Sequence, residues 1–278
     1  WKRDWVKNYN DIITGHLNLN PPIDLYVKNG ANYWAKKLNG KKLGNNCVRL
    51  YTPGLISSLE GYELGEWWIQ DYSSQIPVSL LKIKSNDDVL DLCAAPGGKT
   101  AQLISLGAKV TSIDNNKKRL FKLEQNLKRL NYQTIIENND IRNFSPQKTW
   151  PKIILDAPCS STGTLRKNPE IMHQKKESDI ISLSKLQSEL LDAAWSLLQE
   201  GGTLLYCTCS MEKEEGEYQI ENFIKRKKNS LLDKINTNEI DKKLKTSNKD
   251  KWLRIFPNSL DYEGGNDGFF IARVKKIT

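Results

Sequence analysis

Two cysteines in separate loops are the residues of this sequence best suited to covalent chemistry. Cys159 lies in Asp156-Ala157-Pro158-Cys159-Ser160 and Cys209 lies in Thr208-Cys209-Ser210, and each loop follows an apolar run typical of a buried strand. A third loop, Asp91-Leu92-Cys93-Ala94-Ala95-Pro96-Gly97-Gly98-Lys99-Thr100, follows another such run. Because the carboxyl ends of strands in an open α/β sheet meet at one crevice, we expect the three loops to lie together. The pattern indicates thiol chemistry on a bound base, with a cofactor held alongside.

The third loop contains a glycine-rich turn, Gly97-Gly98-Lys99-Thr100. It is not a P-loop, because the position five residues before the second glycine is Cys93. Adjacent glycines also fail the dinucleotide pattern G-x-G-x-x-G. What remains is a tight turn beside a helix amino terminus, where a nucleoside ligand can approach the backbone.

Two carboxylates are expected at the ends of the next two strands. Asp114 is well placed to accept hydrogen bonds from both hydroxyls of a ribose. It could instead cap the helix that begins near Lys117. Asp140 ends the third strand and could contact an adenine amino group.

Composition limits the class of protein and its partners. The chain has 278 residues and a formal net charge of +9, which suits a polyanion such as RNA, although a lysine-rich solvated surface explains the charge equally well. Five cysteines without a regular framework favour a reducing, cytoplasmic environment. Two histidines and one close cysteine pair argue against a metal site, and no apolar run is long enough to span a membrane. The first residue is Trp1 rather than Met, so we expect a fragment of a longer protein.

From about residue 85 the sequence alternates between strand and helix patterns, which predicts a doubly wound, mostly parallel α/β sheet. The predicted strands are 88–92, 109–113, 134–137, 153–156 and 202–207, and the predicted helices are 99–106, 117–130, 179–199 and 214–228. Residues 229–251 are polar and are expected to form a loose loop. Residues 269–274 form the final predicted strand, with 252–256 as its antiparallel neighbour.

Residues 1–70 form a separate predicted unit. A strand is predicted over 23–27 and a helix over 31–38, in a segment where aromatic residues alternate with lysines. Aromatic rings and cations are what binders of single-stranded RNA use for stacking and phosphate contact. A small α+β core with a solvated lysine face remains an equal alternative.

Four ordered motifs carry a resemblance to a known family. They are the loop Asp91–Thr100, the segment Asp156-Ala157-Pro158-Cys159-Ser160-Ser161-Thr162-Gly163, the tripeptide Thr208-Cys209-Ser210 and the closing Asp267-Gly268-Phe269-Phe270. Over residues 85–276 the chain resembles the RNA cytosine-C5 methyltransferases, in particular their bacterial ribosomal-RNA type, RsmB (Sun/Fmu). The resemblance implies a Rossmann-like, seven-stranded methyltransferase sheet with helices on both faces over 71–278. It also implies that 1–70 is a small α+β RNA-binding subdomain.

The same resemblance assigns the cofactor and its residues. S-adenosyl-L-methionine is the expected methyl donor. The residues expected to hold it or to line its site are Cys93, Ala94, Ala95, Pro96, Gly97, Gly98, Lys99, Asp114, Asp140 and Asp156.

The resemblance also distributes the chemical roles. Cytosine C5 is a poor nucleophile, so a thiolate must first attack C6 and turn the base into an enamine. Cys209 is the expected nucleophile, Asp156 the expected acid near N3, with a pKa raised by burial, and Cys159 the thiol that assists release. DNA cytosine methyltransferases use their Pro-Cys thiol as nucleophile, so the two cysteine roles could be exchanged.

The remaining candidates are surface and packing residues. Arg166 and Lys167 are expected to contact phosphates near a flipped-out base. Cys207 stands where relatives commonly carry a small residue, and we expect it to pack inside as a small apolar group, as we do for Cys47 and Cys93.

The sequence therefore predicts a cytoplasmic RNA cytosine-C5 methyltransferase that acts on 16S ribosomal RNA. We expect it to be a monomer without a metal or a membrane partner. A methyltransferase of the same family acting on transfer RNA is the nearest alternative. A non-catalytic RNA-binding ribosome assembly factor that keeps the fold is an alternative from another class.

Overall fold

The structure, a computed structural model, describes residues 1, 4–17, 20–244, 246–247 and 251–277. The helices are α1 Tyr9–His16, α2 Ala31–Lys37, α3 Tyr72–Leu80, α4 Gly98–Ser105, α5 Lys117–Arg129, α6 Ile171–Gln174, α7 Glu177–Leu197 and α8 Glu217–Arg226. The first strands are β1 Ile23–Val27, β2 Lys41–Lys42, β3 Cys47–Leu50 and β4 Trp67–Ile69. The later strands are β5 Asp88–Leu92, β6 Lys109–Asp114, β7 Ile135–Asn138, β8 Trp150–Asp156, β9 Leu198–Thr208, β10 Ser230–Leu232, β11 Thr246–Ser247, β12 Leu253–Ile255 and β13 Phe269–Lys276.

The large sheet has the order β11-β12-β13-β9-β8-β5-β6-β7, and β10 pairs with β13. The five strands from β9 to β7 are parallel, and β13 and β12 run antiparallel to their neighbours. The expected Rossmann-like α/β fold is confirmed. In the part of the chain that the structure describes, seven strands form the expected sheet, and the short strands β10 and β11 widen it to nine.

Helices cover both faces of this sheet because its parallel strands are apolar on both sides. Successive residues of β5 show the alternation: Val89 packs with α3 and α4, whereas Leu90 packs with α7 and α8. Helix α5 buries Leu120, Leu123 and Leu127 on one side, as its sequence spacing predicts.

The predicted helices and strands between residues 85 and 228 are present, with ends that differ by a few residues. The expected helix 214–228 is shorter, because Lys213–Glu215 forms a 3₁₀ turn before α8 begins at Glu217. No helix in the described part of the chain is long and apolar enough to cross a membrane.

The expectation of a loose loop over 229–251 is wrong for the residues that the structure describes there. Strands β10 and β11 add to the large sheet, and Ile235 is fully buried in its core. Glu239 accepts a hydrogen bond from Arg273 of β13 at 2.9 Å. The average polarity of the segment concealed a few apolar residues that anchor it; residues 245 and 248–250 lie outside the described part.

Strands β2, β3, β1 and β4 form a small antiparallel sheet in that order, with α2 packed against it. This sheet rests on the large domain, because Tyr26 and Trp68 stack at 4.6 Å and pack with residues of α4 and α5. Helix α1 lies elsewhere, beside Met211 and Phe256. Both the small sheet and α1 therefore contact the large domain.

Candidate active site

Three loops at the carboxyl edge of the sheet are joined by backbone hydrogen bonds. Gly163 N donates to Cys209 O at 2.9 Å, and Gly268 N donates to Gly163 O at 2.8 Å. A Cβ atom on Gly163 would lie 2.2 Å from Gly268 O, so this close approach requires glycine. The Pro-Cys loop and the second cysteine loop therefore lie together, as the sequence predicts, and the closing Asp-Gly-Phe-Phe motif joins them, which the sequence does not predict.

The two cysteines that open this unit face each other. Cys159 Sγ and Cys209 Sγ are 3.6 Å apart, and Cys209 Sγ lies 3.5 Å from Ser161 Oγ. The hydrogen bond from Cys159 lowers the pKa of Cys209; burial opposes this effect, and the Ser161 hydroxyl adds to it. The same hydrogen bond, together with burial, raises the pKa of Cys159. A thiolate at this pair is therefore favoured on Cys209.

Asp156 lies at the end of β8 and is held by two side chains. Lys99 Nζ donates to its Oδ2 at 2.6 Å, and Cys207 Sγ donates to its Oδ1 at 3.5 Å. Burial would lower the pKa of Lys99, but the Asp156 carboxylate outweighs it and the net pKa is raised. The expected burial of Asp156 is not found, because 34% of its side chain is exposed.

The carboxyl group with a strongly raised pKa is Asp91 instead. It is fully buried, and burial raises its pKa to about 7. Thr100 Oγ1 donates to Asp91 Oδ2 at 2.6 Å, whereas Asp91 Oδ1 has no hydrogen-bond partner among the described residues. An unpaired buried carboxyl oxygen is a natural acceptor for a ligand N–H group.

The glycine-rich turn positions the amino end of α4 beside Asp91. Gly97 has a φ of 100°, in the left-handed region that favours glycine. Among the described residues no side chain caps this helix end, so its first N–H groups are available to a ligand.

Asp114, the last residue of β6, lies beside this turn. Its Oδ2 accepts a hydrogen bond from Ala95 N at 3.2 Å and its Oδ1 accepts one from Asn116 N at 2.9 Å. The alternative that Asp114 caps α5 is wrong, because Asn116 Oδ1 accepts from Arg119 N and provides the cap.

Asp140 and Asp114 line one small cavity of about 100 Å³ together with Cys93. The expectation that Asp140 ends the third strand is wrong by two residues, because β7 ends at Asn138. Hydrogen bonds from Arg142 lower the pKa of Asp140.

The expectation that Arg166 and Lys167 contact RNA phosphates is wrong, because both cations form ion pairs within the protein. Arg166 is ion-paired with Asp71 at 2.7 Å and Asp267 at 3.0 Å, and its side chain has no exposed surface. Lys167 lies 2.5 Å from Asp71 and 3.1 Å from Asp267. These four residues, the Asp71 cluster, balance two negative and two positive charges, which leaves neither cation free for a phosphate. Burial, and then the neighbouring Asp71, raise the pKa of Asp267 to about 6.

Comparison with known proteins places this arrangement in a family. The sequence model described as "16S rRNA methyltransferase RsmB/F" matches residues 78–275. The chain belongs to the RsmB/F family.

Two curated relatives are named ribosomal RNA small subunit methyltransferase B. The protein from Photorhabdus laumondii is 37% identical over 236 residues, which cover 83% of this chain and 52% of that protein. The protein from Erwinia tasmaniensis is 34% identical over 290 residues, covering 99% of this chain and 64% of that protein. The chain thus spans between half and two thirds of the length of these relatives.

Solved structures share the fold as well. The crystal structure of PH0851 is 26% identical, with a TM-score of 0.90 and coverage of 99% of this chain and 64% of that one. NSun6 from Pyrococcus horikoshii, solved with SFG, is 29% identical, with a TM-score of 0.69 and coverage of 84% of this chain and 60% of that one.

Sequence reasoning also missed Glu215, which organises this RsmB/F site. It is fully buried and accepts hydrogen bonds from Ser160 N at 2.9 Å and from Gln187 Nε2 at 3.0 Å. In the sequence it stands in an acidic run that is typical of a solvated surface. Glu215 fixes the backbone next to Cys159.

Proposed function

We propose that this chain is the catalytic part of an S-adenosylmethionine-dependent RNA cytosine-C5 methyltransferase acting on 16S ribosomal RNA through a covalent cysteine adduct. The observation that carries the proposal is the pair of thiols 3.6 Å apart in one crevice. The names of the curated relatives support small-subunit ribosomal RNA as the substrate.

The opposite pKa shifts of the two thiols support Cys209 as the nucleophile. Its lowered pKa favours the thiolate that must attack C6 of the cytosine. The attack gives an enamine whose C5 can accept a methyl group. The target base must first leave its stack, which a structured RNA substrate permits.

Asp156 and Lys99 are proposed to manage the charge on the base. Attack at C6 places negative charge on the ring near N3, and a proton or positive charge there relieves it. The Lys99 ammonium group lies 2.6 Å from Asp156, so this pair holds a proton that can pass through the Asp156 carboxyl group to N3.

Cys159 is proposed to assist the last step. After methyl transfer the C5 proton passes to water, and its electron pair restores the C5–C6 double bond as the bond between C6 and the Cys209 sulfur breaks. Cys159 keeps its proton because its pKa is raised, and it lies next to the departing sulfur. Its S–H group is thus placed to stabilise the leaving thiolate.

The residues at and beside the glycine-rich turn fit S-adenosylmethionine, which would supply the methyl group. The unpaired Asp91 Oδ1 suits an amino group, and the uncapped end of α4 suits a carboxylate. We propose that the segment Cys93–Lys99 holds this cofactor, with Asp114 at its ribose and Asp140 near its base.

The thiol mechanism is tested with labelled 16S ribosomal RNA and the full-length protein on a denaturing gel. Cys209→Ala should abolish methylation and leave the RNA unattached. Cys159→Ala should still permit attack and methyl transfer, then stall with RNA bound to Cys209, which gives a shifted protein band. Cys47→Ala, which removes a buried thiol of β3, is the matched control and should behave like the unmodified protein.

Each other outcome has a definite meaning. A shifted band from Cys209→Ala but not from Cys159→Ala would exchange the two roles. Normal turnover in both variants would contradict the thiol mechanism. Methylation of transfer RNA instead of ribosomal RNA would contradict the substrate, and RNA binding without any methyl transfer would favour an assembly factor.

A further inference from the structure

Asp71 lies outside every motif of the sequence yet joins three segments around the crevice. It lies two residues after the end of β4, and its Oδ1 accepts hydrogen bonds from Ser73 N at 2.9 Å and Asp267 N at 3.2 Å. Its Oδ2 accepts from Arg166 and Lys167. One buried carboxylate thus holds the start of α3, the end of the Pro-Cys loop and the closing motif.

A short bonded path runs from Asp71 to both thiol loops. Asp267 precedes Gly268, whose N–H donates to Gly163 O at 2.8 Å. Gly163 belongs to the loop of Cys159, and its own N–H donates to Cys209 O at 2.9 Å. A shift of Asp267 would therefore move the backbone of both cysteine loops.

A second buried ion pair, Arg49 with Asp24 in the small sheet, holds the turn Glu263–Asp267 that leads into the closing motif. Arg49 of β3 binds both carboxylate oxygens of Asp24, at 2.7 and 2.8 Å. It also donates to Glu263 O at 2.8 Å and to Gly265 O at 2.7 Å. The small sheet and the Asp71 cluster thus fix the turn Glu263–Asp267 from two sides.

We propose that Asp71 is a positioning residue for the two thiols, and that it links their spacing to the small amino-terminal sheet. The inference rests on the proposed methyl transfer. Asp71 acts through the Pro-Cys loop and the closing motif, without contact to the reacting base. Small displacements of reacting groups cost large factors in rate, so its effect is expected in turnover rather than in binding.

Asp71→Asn tests the inference because it keeps the size of the side chain and removes its charge. We expect single-turnover methyl transfer to slow by about 10- to 100-fold, while the KM values for RNA and cofactor change by less than about threefold. Asp71→Glu, which restores the charge, should recover part of the rate. Glu239→Gln is the matched control, since it removes a carboxylate from the buried Arg273 away from the crevice, and should leave the rate unchanged.

A second measurement needs neither RNA nor methyl transfer. The rate at which iodoacetamide alkylates Cys209, followed by peptide mass mapping, reports on the thiol pair directly. We expect it to change severalfold in Asp71→Asn and not in Glu239→Gln. Failure of the proposed function would leave this alkylation difference in place, whereas failure of the inference would remove it in an active enzyme.

A charge-balanced variant covers the case in which Asp71→Asn does not fold. Asp71→Asn with Lys167→Gln removes one charge of each sign and leaves Arg166 paired with Asp267. A folded double variant with the unmodified alkylation rate and methyl-transfer rate would overturn the inference. A folded variant with intact RNA binding and slow transfer would support it.

Discussion

Asp91 carries a fully buried carboxyl group whose pKa is raised by burial to about 7. Its usual pKa, 3.8, applies in the unfolded chain. At a pH between these two pKa values, Asp91 has lost its proton in the unfolded chain but keeps it in the folded protein. Unfolding therefore becomes more favourable as pH rises through this range, by about 4 kcal/mol in total at about 1.4 kcal/mol per pKa unit.

Asp91→Asn removes this pH-dependent loss of folding stability because the amide does not ionise. We expect the Tm of the cofactor-free variant to rise, relative to the unmodified protein, as pH increases from about 4 to 7. Cofactor affinity should fall at the same time, since the amide is a weaker acceptor for a ligand amino group. Thermal melting over this pH range and calorimetry with S-adenosylmethionine measure the two effects. Parallel Tm curves for the two proteins would contradict the assigned pKa.

Cys207 illustrates what a sequence can and cannot predict for a single residue. Its burial follows from strand alternation and is confirmed, because the side chain is fully buried. Its contact with Asp156 depends on the register of β8 and β9, which pairs these two residues. A parallel pairing between strands far apart in sequence leaves no local signal, so the contact became visible only in the structure.

The loop Asp156–Gly163 shows how an element depends on a close backbone approach. A Cβ atom on Gly163 would lie 2.2 Å from Gly268 O and 2.7 Å from Cys209 O, and backbone atoms cannot give way cheaply. We expect Gly163→Ala to destabilise the protein by about 1–3 kcal/mol, as overpacking usually does, and to abolish methyl transfer. Denaturant unfolding and a methylation assay measure both.

Gly44→Ala is the control for this substitution. Its Cβ atom would meet Tyr72 at 3.4 Å, an ordinary contact. Equal stability and activity of the two alanine variants would show that the three loops can separate without harm.

Elements with strong local patterns could be predicted from the sequence, and those held by distant partners could not. The strands before each motif are apolar runs, so β5, β8 and β9 and their loops were expected. The sequence predicts a phosphate contact for Arg166 because its partners, Asp71 and Asp267, lie about a hundred residues away on either side and leave no local signal. The segment 229–251 was misjudged because composition averages over a few buried residues such as Ile235.

At the scale of the whole molecule, the small sheet remains the proposed RNA-binding part of the chain. Tyr33 on α2 is 56% exposed, and Lys36, one helical turn further along, is exposed as well. Tyr33→Ala with Lys36→Ala should weaken RNA binding by about tenfold or more through lost stacking. The salt dependence of binding should become shallower by about one unit for the lost lysine. Filter binding at several salt concentrations measures both quantities.

Lys109→Ala is the charge-matched control, since this exposed lysine begins β6 at the opposite, amino edge of the sheet. An equal loss in Lys109→Ala would indicate a general effect of charge. No loss in Tyr33→Ala with Lys36→Ala would assign α2 to a purely structural role.

The ion pairs between the small sheet and the closing turn limit how this protein could be recombined with its relatives. The family match begins at residue 78, so similarity alone suggests a junction near that point for building chimaeras. Asp24, Arg49 and Asp71 all precede it, yet they hold the turn Glu263–Asp267 and the end of the Pro-Cys loop. A foreign amino-terminal module would remove these anchors and leave Arg166 and Lys167 with only one carboxylate between them. In this chain, we therefore expect an exchanged module to keep the crevice intact only when the incoming sheet brings its own matching carboxylates and arginine.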